Sequence, residues 1–160
     1  MIRSLFLVCA LVLSALAAGP LAAQDNPFVG TWKLNLAKSK YVGVPAPKDQ
    51  TRTVTLNGKT ATYSFTGTAA DGSAVKYSFD TNYDGKDSAV TGAGLPGGAD
   101  SIALTRVASH HVTAVLKKGG KEVSKVDSVV SKDGKVSTVT TKGVDADGKP
   151  LSVTSVYDKQ

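Results

Sequence analysis

From Phe28 onward, apolar and polar residues alternate in short runs with a period of two. Successive side chains on a strand point to opposite faces, so this period predicts half-buried β-strands. Heavy use of Val and Thr supports the same reading. Almost no segment carries a helical spacing. In the first run, Phe28, Gly30, Trp32, Leu34 and Leu36 share one face, and Lys33 and Asn35 the other. Later runs are separated by turn signals: Asn57-Gly58, Asp71-Gly72, Asp84-Gly85, Gly119-Gly120, Asp133-Gly134 and Asp147-Gly148. Such pairs supply the positive φ that tight hairpins need. Strands are predicted over 28–36, 51–56, 59–68, 74–81, 86–91, 101–107, 111–117, 121–131, 135–143 and 151–158.

About ten strands joined almost throughout by hairpins form a meander, and a meander protects its edges most completely by closing. The expected fold is all-β: a single up-and-down antiparallel β-barrel. A two-sheet sandwich is the runner-up, but it needs crossing connections. Only 37–50 is long enough for an obvious one. Pro45 and Pro47 forbid a helix through its middle, so it reads as an extended loop across one end of the barrel. The glycine-rich stretch 92–99 lacks the lysine, the following Ser or Thr, and the helix that a phosphate cradle requires.

Residues 1–23 differ from the rest. Arg3 is followed by an apolar run from Leu5 to Ala18, a Gly19-Pro20 break and the small residues before Gln24. That order predicts a signal peptide cleaved after Ala23, a secreted or periplasmic protein, and one domain over 24–160. The run is shorter than the ~20 apolar residues of a membrane span. No membrane insertion is therefore expected after its removal. Cys9 is the single cysteine and lies in the leader, which leaves the expected domain without disulfides or thiolate metal sites. The formal charge of +6 falls to +5 when Arg3 is removed, and the lysines are scattered. A nucleic-acid surface would gather them into a stripe, so no nucleic-acid partner is expected.

The strands carrying Tyr63 and Phe65, and Tyr77 and Phe79, have heavy aromatic faces. Aromatic rings with a few polar tips suit a small-molecule pocket, and they equally suit a filled interior. Arg106 shares a face with Ile102 and Leu104. It reads either as an anion anchor, through its two-pronged guanidinium, or as a side chain reaching water. In the long strand, Val123, Lys125, Asp127 and Val129 form one face, and Ser124, Val126, Ser128 and Val130 the other. If the first set faced inward, the Lys125/Asp127 pair would favour a wet cavity over a dry core. Trp32 is expected to plug a closed end, with its N–H on an acceptor.

The stretch Phe28-Val29-Gly30-Thr31-Trp32-Lys33-Leu34 resembles the opening strand of the intracellular fatty-acid-binding proteins. Its Gly30-Thr31-Trp32 also matches the Gly-x-Trp of the lipocalins. Val153-Thr154-Ser155-Val156-Tyr157-Asp158-Lys159 is similar to the terminal strand of the fatty-acid-binding proteins. The hairpin from Asp133 to Val144 also fits. The resemblance implies a calycin barrel around a ligand cavity, with Gly30 and Trp32 structural and Tyr157 a head-group contact. Two features depart from it. No helical lid follows the first strand, and Ser155 stands where the family has a carboxylate-binding arginine.

These readings converge on an exported, monomeric, non-enzymatic binding protein for a small hydrophobic or amphipathic, lipid-like molecule. The expected ligand contacts are Tyr63, Phe65, Tyr77, Phe79, Leu104, Arg106, Lys125 and Tyr157. No Ser/His/Asp order or nucleophile elbow stands out, so no catalytic residue is expected. Neither is a metal or cofactor. Adjacent His110 and His111 point to opposite faces of a strand and do not share a metal. The alternatives are an interaction barrel with a filled interior and an outer patch near 92–99, and a barrel ligating haem through one histidine.

Overall fold

The computed structural model describes residues 26–160; the leader, Cys9 and the cleavage site lie outside them. The chain forms twelve strands: β1 Gly30–Leu34, β2 Lys40–Val42, β3 Asp49–Asn57, β4 Thr60–Thr68, β5 Ala74–Thr81, β6 Asp84–Ala89, β7 Thr91–Ala93, β8 Ser101–Ala108, β9 His111–Lys118, β10 Lys121–Val130, β11 Val136–Val144 and β12 Pro150–Lys159. All pairings are antiparallel, in the order β6-β8-β9-β10-β11-β12-β1-β3-β4-β5-β7, and β2 lies on β12. The result is a nearly closed up-and-down barrel. Two short strands, β2 and β7, raise the count above the ten expected.

Closure has an unusual form. β5 and β6 follow one another in sequence but do not pair. β6 instead lies against β8, and after Val90 the same extended segment swings over so that β7 pairs with β5 through Ser78–Thr91, Tyr77–Gly92 and Lys76–Ala93. One continuous segment therefore touches both edges of the sheet. The turn before it holds Tyr83 at φ 58°, the single non-glycine residue with positive φ among the described residues.

The first strand is shorter than its pattern suggests. It stops at Leu34, and Leu36–Lys38 forms a 3₁₀ turn in which the Asn35 side chain accepts from the Lys38 N–H. An Asn in extended conformation is a natural cap for such a turn. The turn takes Leu36 off the inner face and leaves it exposed. The loop after it pairs briefly with β12 and then runs past the barrel mouth as Val44, Pro45 and Pro47, without a helix.

The core gathers the inward residues of every long strand. Phe28, Trp32 and Ala61 are wholly buried, and Val54, Leu116 and Val130 nearly so. Burying one large apolar side chain contributes about 1.5–3 kcal/mol. Gly30 allows one close approach: at its φ of 130°, a Cβ would lie 2.7 Å from Lys159 Cε. The glycine thus lets Lys159 reach across to the Trp32 ring, 5.1 Å from its centroid.

Candidate functional site

The interior is not filled. A cavity of about 440 Å³ runs from the centre of the barrel to the loops at one end, within the range of small-molecule pockets. Its mouth is framed by Pro45, Pro47, Ala70, Asp71, Pro96 and Asp145. The opposite end is sealed by Phe28 and Trp32, neither of which lines the cavity. The Trp32 Nε1–H donates to the Phe28 carbonyl at 2.9 Å, so the indole is satisfied without a ligand.

Two unlike walls face each other. On β4 and β5, Tyr63 stacks on Phe79 with centroids 5.1 Å apart, and Phe65 on Tyr77 at 4.5 Å. The register places these residues directly opposite one another, Tyr63 with Phe79 and Phe65 with Tyr77. Cross-strand aromatic pairs of this kind stabilise a sheet and present a flat apolar surface. On β10, β11 and β12, small hydroxyl residues line the cavity: Ser128, Thr141 and Ser155. The Ser128 Oγ is buried without a hydrogen-bond partner, and so are Ser124 Oγ and Ser137 Oγ. The Ser155 hydroxyl meets the Tyr41 hydroxyl at 3.3 Å.

Between these walls stands Arg52 of β3, 3% exposed. β3 alternates Gln50, Arg52 and Val54 inward with Thr51, Thr53 and Thr55 outward, and the ladder sets Arg52 beside Trp32 on one side and Phe65 on the other. Its guanidinium carbon lies 5.1 Å from the Trp32 ring and 4.8 Å from the Tyr157 ring. Such stacking is favourable for a cation. Its Nε and Nη2 nevertheless have no hydrogen-bond partner, and Arg52 joins none of the ion pairs among the described residues. Burial lowers its pKa, opposed by the neighbouring tyrosines. An arginine still stays charged in proteins.

The cavity tyrosines are held neutral. Burial pushes the Tyr157 phenol up to about 12, and burial also raises Tyr63 and Tyr77 well above their usual value. The Tyr157 hydroxyl donates to Gln50 Oε1 in a very short contact. The Tyr63 hydroxyl meets that of Tyr83 at 3.0 Å, which ties the cavity to the sealed end.

The expected contacts divide. Tyr63, Phe65, Tyr77, Phe79, Leu104 and Tyr157 all line the cavity. Arg106 does not. It sits at the sealed end, where Nη1 donates to the Ser109 carbonyl and Nη2 to Asn26 Oδ1, both at 3.0 Å. Its guanidinium carbon lies 4.1 Å from the Tyr83 ring and 5.3 Å from that of Phe28. Position explains this: Arg106 is near the turn end of β8, beyond the cavity-lining Leu104. Lys125 also lies elsewhere, on the outer face near Glu122 at 3.5 Å. β10 turns Ser124, Ser128 and Val130 inward, so Lys125 and Asp127 are both outside and bring no charge to the interior. Asp127 meets His111 there, Oδ2 to Nε2, at 2.6 Å. Sequence reasoning passed over Arg52 and Gln50; their period-two spacing from the buried Val54 is a weak signal, since Leu56 in the same series is exposed.

No protein-family model matches the chain, and no curated protein matches it significantly. Solved structures do. The zebrafish ileal bile acid-binding protein, crystallised with cholic acid, aligns with a TM-score of 0.51 at 14% identity, over 84% of this chain and 99% of its own. Lobster apocrustacyanin A1 aligns with a TM-score of 0.45 at 13% identity, over 85% of this chain and 62% of its own. The near-complete alignment with the bile acid-binding protein, together with the strand order, establishes the architecture: the chain has the calycin barrel fold of the fatty-acid-binding-protein type.

Proposed function

We propose that this protein is an exported carrier that holds one small hydrophobic or amphipathic, lipid-like molecule inside its barrel. The cavity of about 440 Å³ carries this reading, because it joins stacked aromatic rings to a few placed polar groups and opens at one end. Apolar burial would supply most of the binding energy and the polar groups the orientation. Residues 1–23 act as a cleaved export signal and 24–160 as the working domain, a monomer without catalytic activity or nucleic-acid partner. The bile acid-binding protein with its cholic acid supports the class of ligand.

Native mass spectrometry of gently purified protein, with displacement of an environment-sensitive fluorophore by a lipid panel, tests the reading. The expected result is a bound mass of lipid size and saturable displacement at one site. No bound mass, with no displacement by any lipid, overturns it. Sequencing the mature N-terminus tests the export signal; a start at Gln24 is expected.

A further inference from the structure

We infer that residues 94–99 form a lid over the cavity, a strap that lifts to admit and release the ligand, with Leu95 as its plug. This rests on the carrier reading above and adds the route by which the cavity is reached.

The strap does not follow the rim. At its start Gly94 lies against β5, where a Cβ would be 3.0 Å from Val75 Cγ1. Three residues on, Gly97 lies against β10 and β11, where a Cβ would be 3.0 Å from the Val144 carbonyl oxygen and 3.4 Å from Val123 Cβ. Around the wall, β6, β8 and β9 stand between β5 and β10. The strap therefore crosses the mouth as a chord. It regains the rim at Asp100, whose N–H donates to the Lys117 carbonyl at 2.9 Å.

Leu95 sits on this chord, lines the cavity and is 9% exposed. It is the strap's one buried side chain; Pro96 is exposed and Ala99 half-buried. Little else holds the strap down. Between 95 and 99 the backbone hydrogen bonds are internal: the Gly98 N–H donates to the Leu95 carbonyl at 3.1 Å, and the Ala99 N–H to the Pro96 carbonyl at 3.3 Å. Lifting the strap would leave both intact and break no backbone hydrogen bond from 95–99 to the wall. A segment with one apolar anchor and no such tie is the kind that opens locally.

The backbone suits movement. Gly94, Gly97 and Gly98 hold φ of 106°, 67° and 63°, and glycine leaves such conformations for others at little cost. The other lip is built the opposite way, since Pro45 and Pro47 each fix φ. A free strap facing a stiff lip is the arrangement of a lid on a frame.

The test pins the strap. In a Cys9→Ala chain, Gly97→Cys with Val123→Cys supplies the only two cysteines, with Cβ atoms near the ~3.8 Å that a disulfide spans. Uptake and release of two probes, 1-anilinonaphthalene-8-sulfonate and 11-(dansylamino)undecanoic acid, are followed by stopped-flow fluorescence. Oxidation should slow both rates at least ~10-fold, as closing a gate does, and reduction should restore them. Affinity should change little, because both rates fall together. Equal rates in the oxidised and reduced forms, with the disulfide verified by mass, overturn the lid and leave the carrier reading standing. If neither probe binds the unaltered protein, the carrier reading fails and the lid with it. The positive φ of Gly97 strains a cysteine, so Leu95→Ala decides should the pair fail to fold. Losing the plug should raise uptake and release together by ~10–100-fold, the factor that burying one leucine supplies. Loss of a mere ligand contact would raise release alone, and unchanged uptake in Leu95→Ala overturns the inference.

Discussion

The sealed end and the cavity centre each hold an arginine beside two aromatic rings, and the two sites are finished differently. Arg106 approaches Phe28 and Tyr83 and donates to Asn26 Oδ1 and the Ser109 carbonyl. Arg52 approaches Trp32 and Tyr157 and leaves Nε and Nη2 without acceptors. Arg106 is also the less buried of the two. Where a cation is complete within the protein, its role is structural. Where a deeply buried cation is left incomplete, the fold carries a desolvation cost. Ring stacking alone does not distinguish these cases; the acceptors do.

The largest expected effect comes from removing what separates the two sites. Trp32→Ala should destabilise the ligand-free protein by about 3–5 kcal/mol, the usual cost of truncating a large buried aromatic. Urea unfolding measures it. A loss below about 1 kcal/mol would mean that the sealed end does not depend on the indole.

Ionisation of the tyrosines comes next. Tyr157 is raised to about 12 by burial, and Tyr63 and Tyr77 are raised too. A phenol with a raised folded-state pKa binds its proton more tightly when folded. Stability is therefore full below pH ~10, the unfolded value, and falls as pH rises toward the folded value. For Tyr157 alone the loss is about 2–3 kcal/mol. Stability measured across alkaline pH should fall in that window, and tyrosinate absorbance of these residues should appear with unfolding rather than before it.

The arginines themselves should differ in sign. Arg106→Met should destabilise the ligand-free protein by about 0.5–1.5 kcal/mol, since it removes the hydrogen bonds to the Asn26 and Ser109 oxygens. Arg52→Met should be neutral or stabilising by about 1 kcal/mol, since it removes a buried charge without breaking a protein hydrogen bond. Equal losses in the two variants, by urea unfolding, would erase the contrast drawn above. The smallest effect is expected at Lys125→Ala. Its exposed contact with Glu122 contributes less than about 0.5 kcal/mol, and neither stability nor probe binding should change measurably.

The barrel was legible because turn chemistry and alternation are local. Asn57-Gly58 and Asp133-Gly134 mark hairpins without reference to anything distant, and Tyr63 and Phe65 are aromatic on whichever face they lie. The short strands were not legible: β2 exists only because β12 lies beside it, and β7 only because β5 offers a free edge. Arg52 was hidden for a related reason. In Thr51-Arg52-Thr53-Val54-Thr55 a charged residue among threonines reads as solvent-facing, and its burial follows from the register with Trp32. Lys125 was ambiguous because both faces of its strand are equally mixed. Packing against β9 and β11 chose the serine face, whose small side chains leave the cavity open.

The way β6 and β7 close the barrel has a consequence for engineering. Because Asp84–Ala93 serves both margins of the sheet, a single cut of the peptide chain near Val90 would separate them. The cylinder would then lose its clasp and present two raw borders able to recruit strands from other molecules. New termini for a circularly permuted version therefore belong at the Asn57-Gly58 or Asp133-Gly134 turn, and a protease accessible to residues 89–91 would be an efficient way to turn the nearly closed barrel into a seed for self-association.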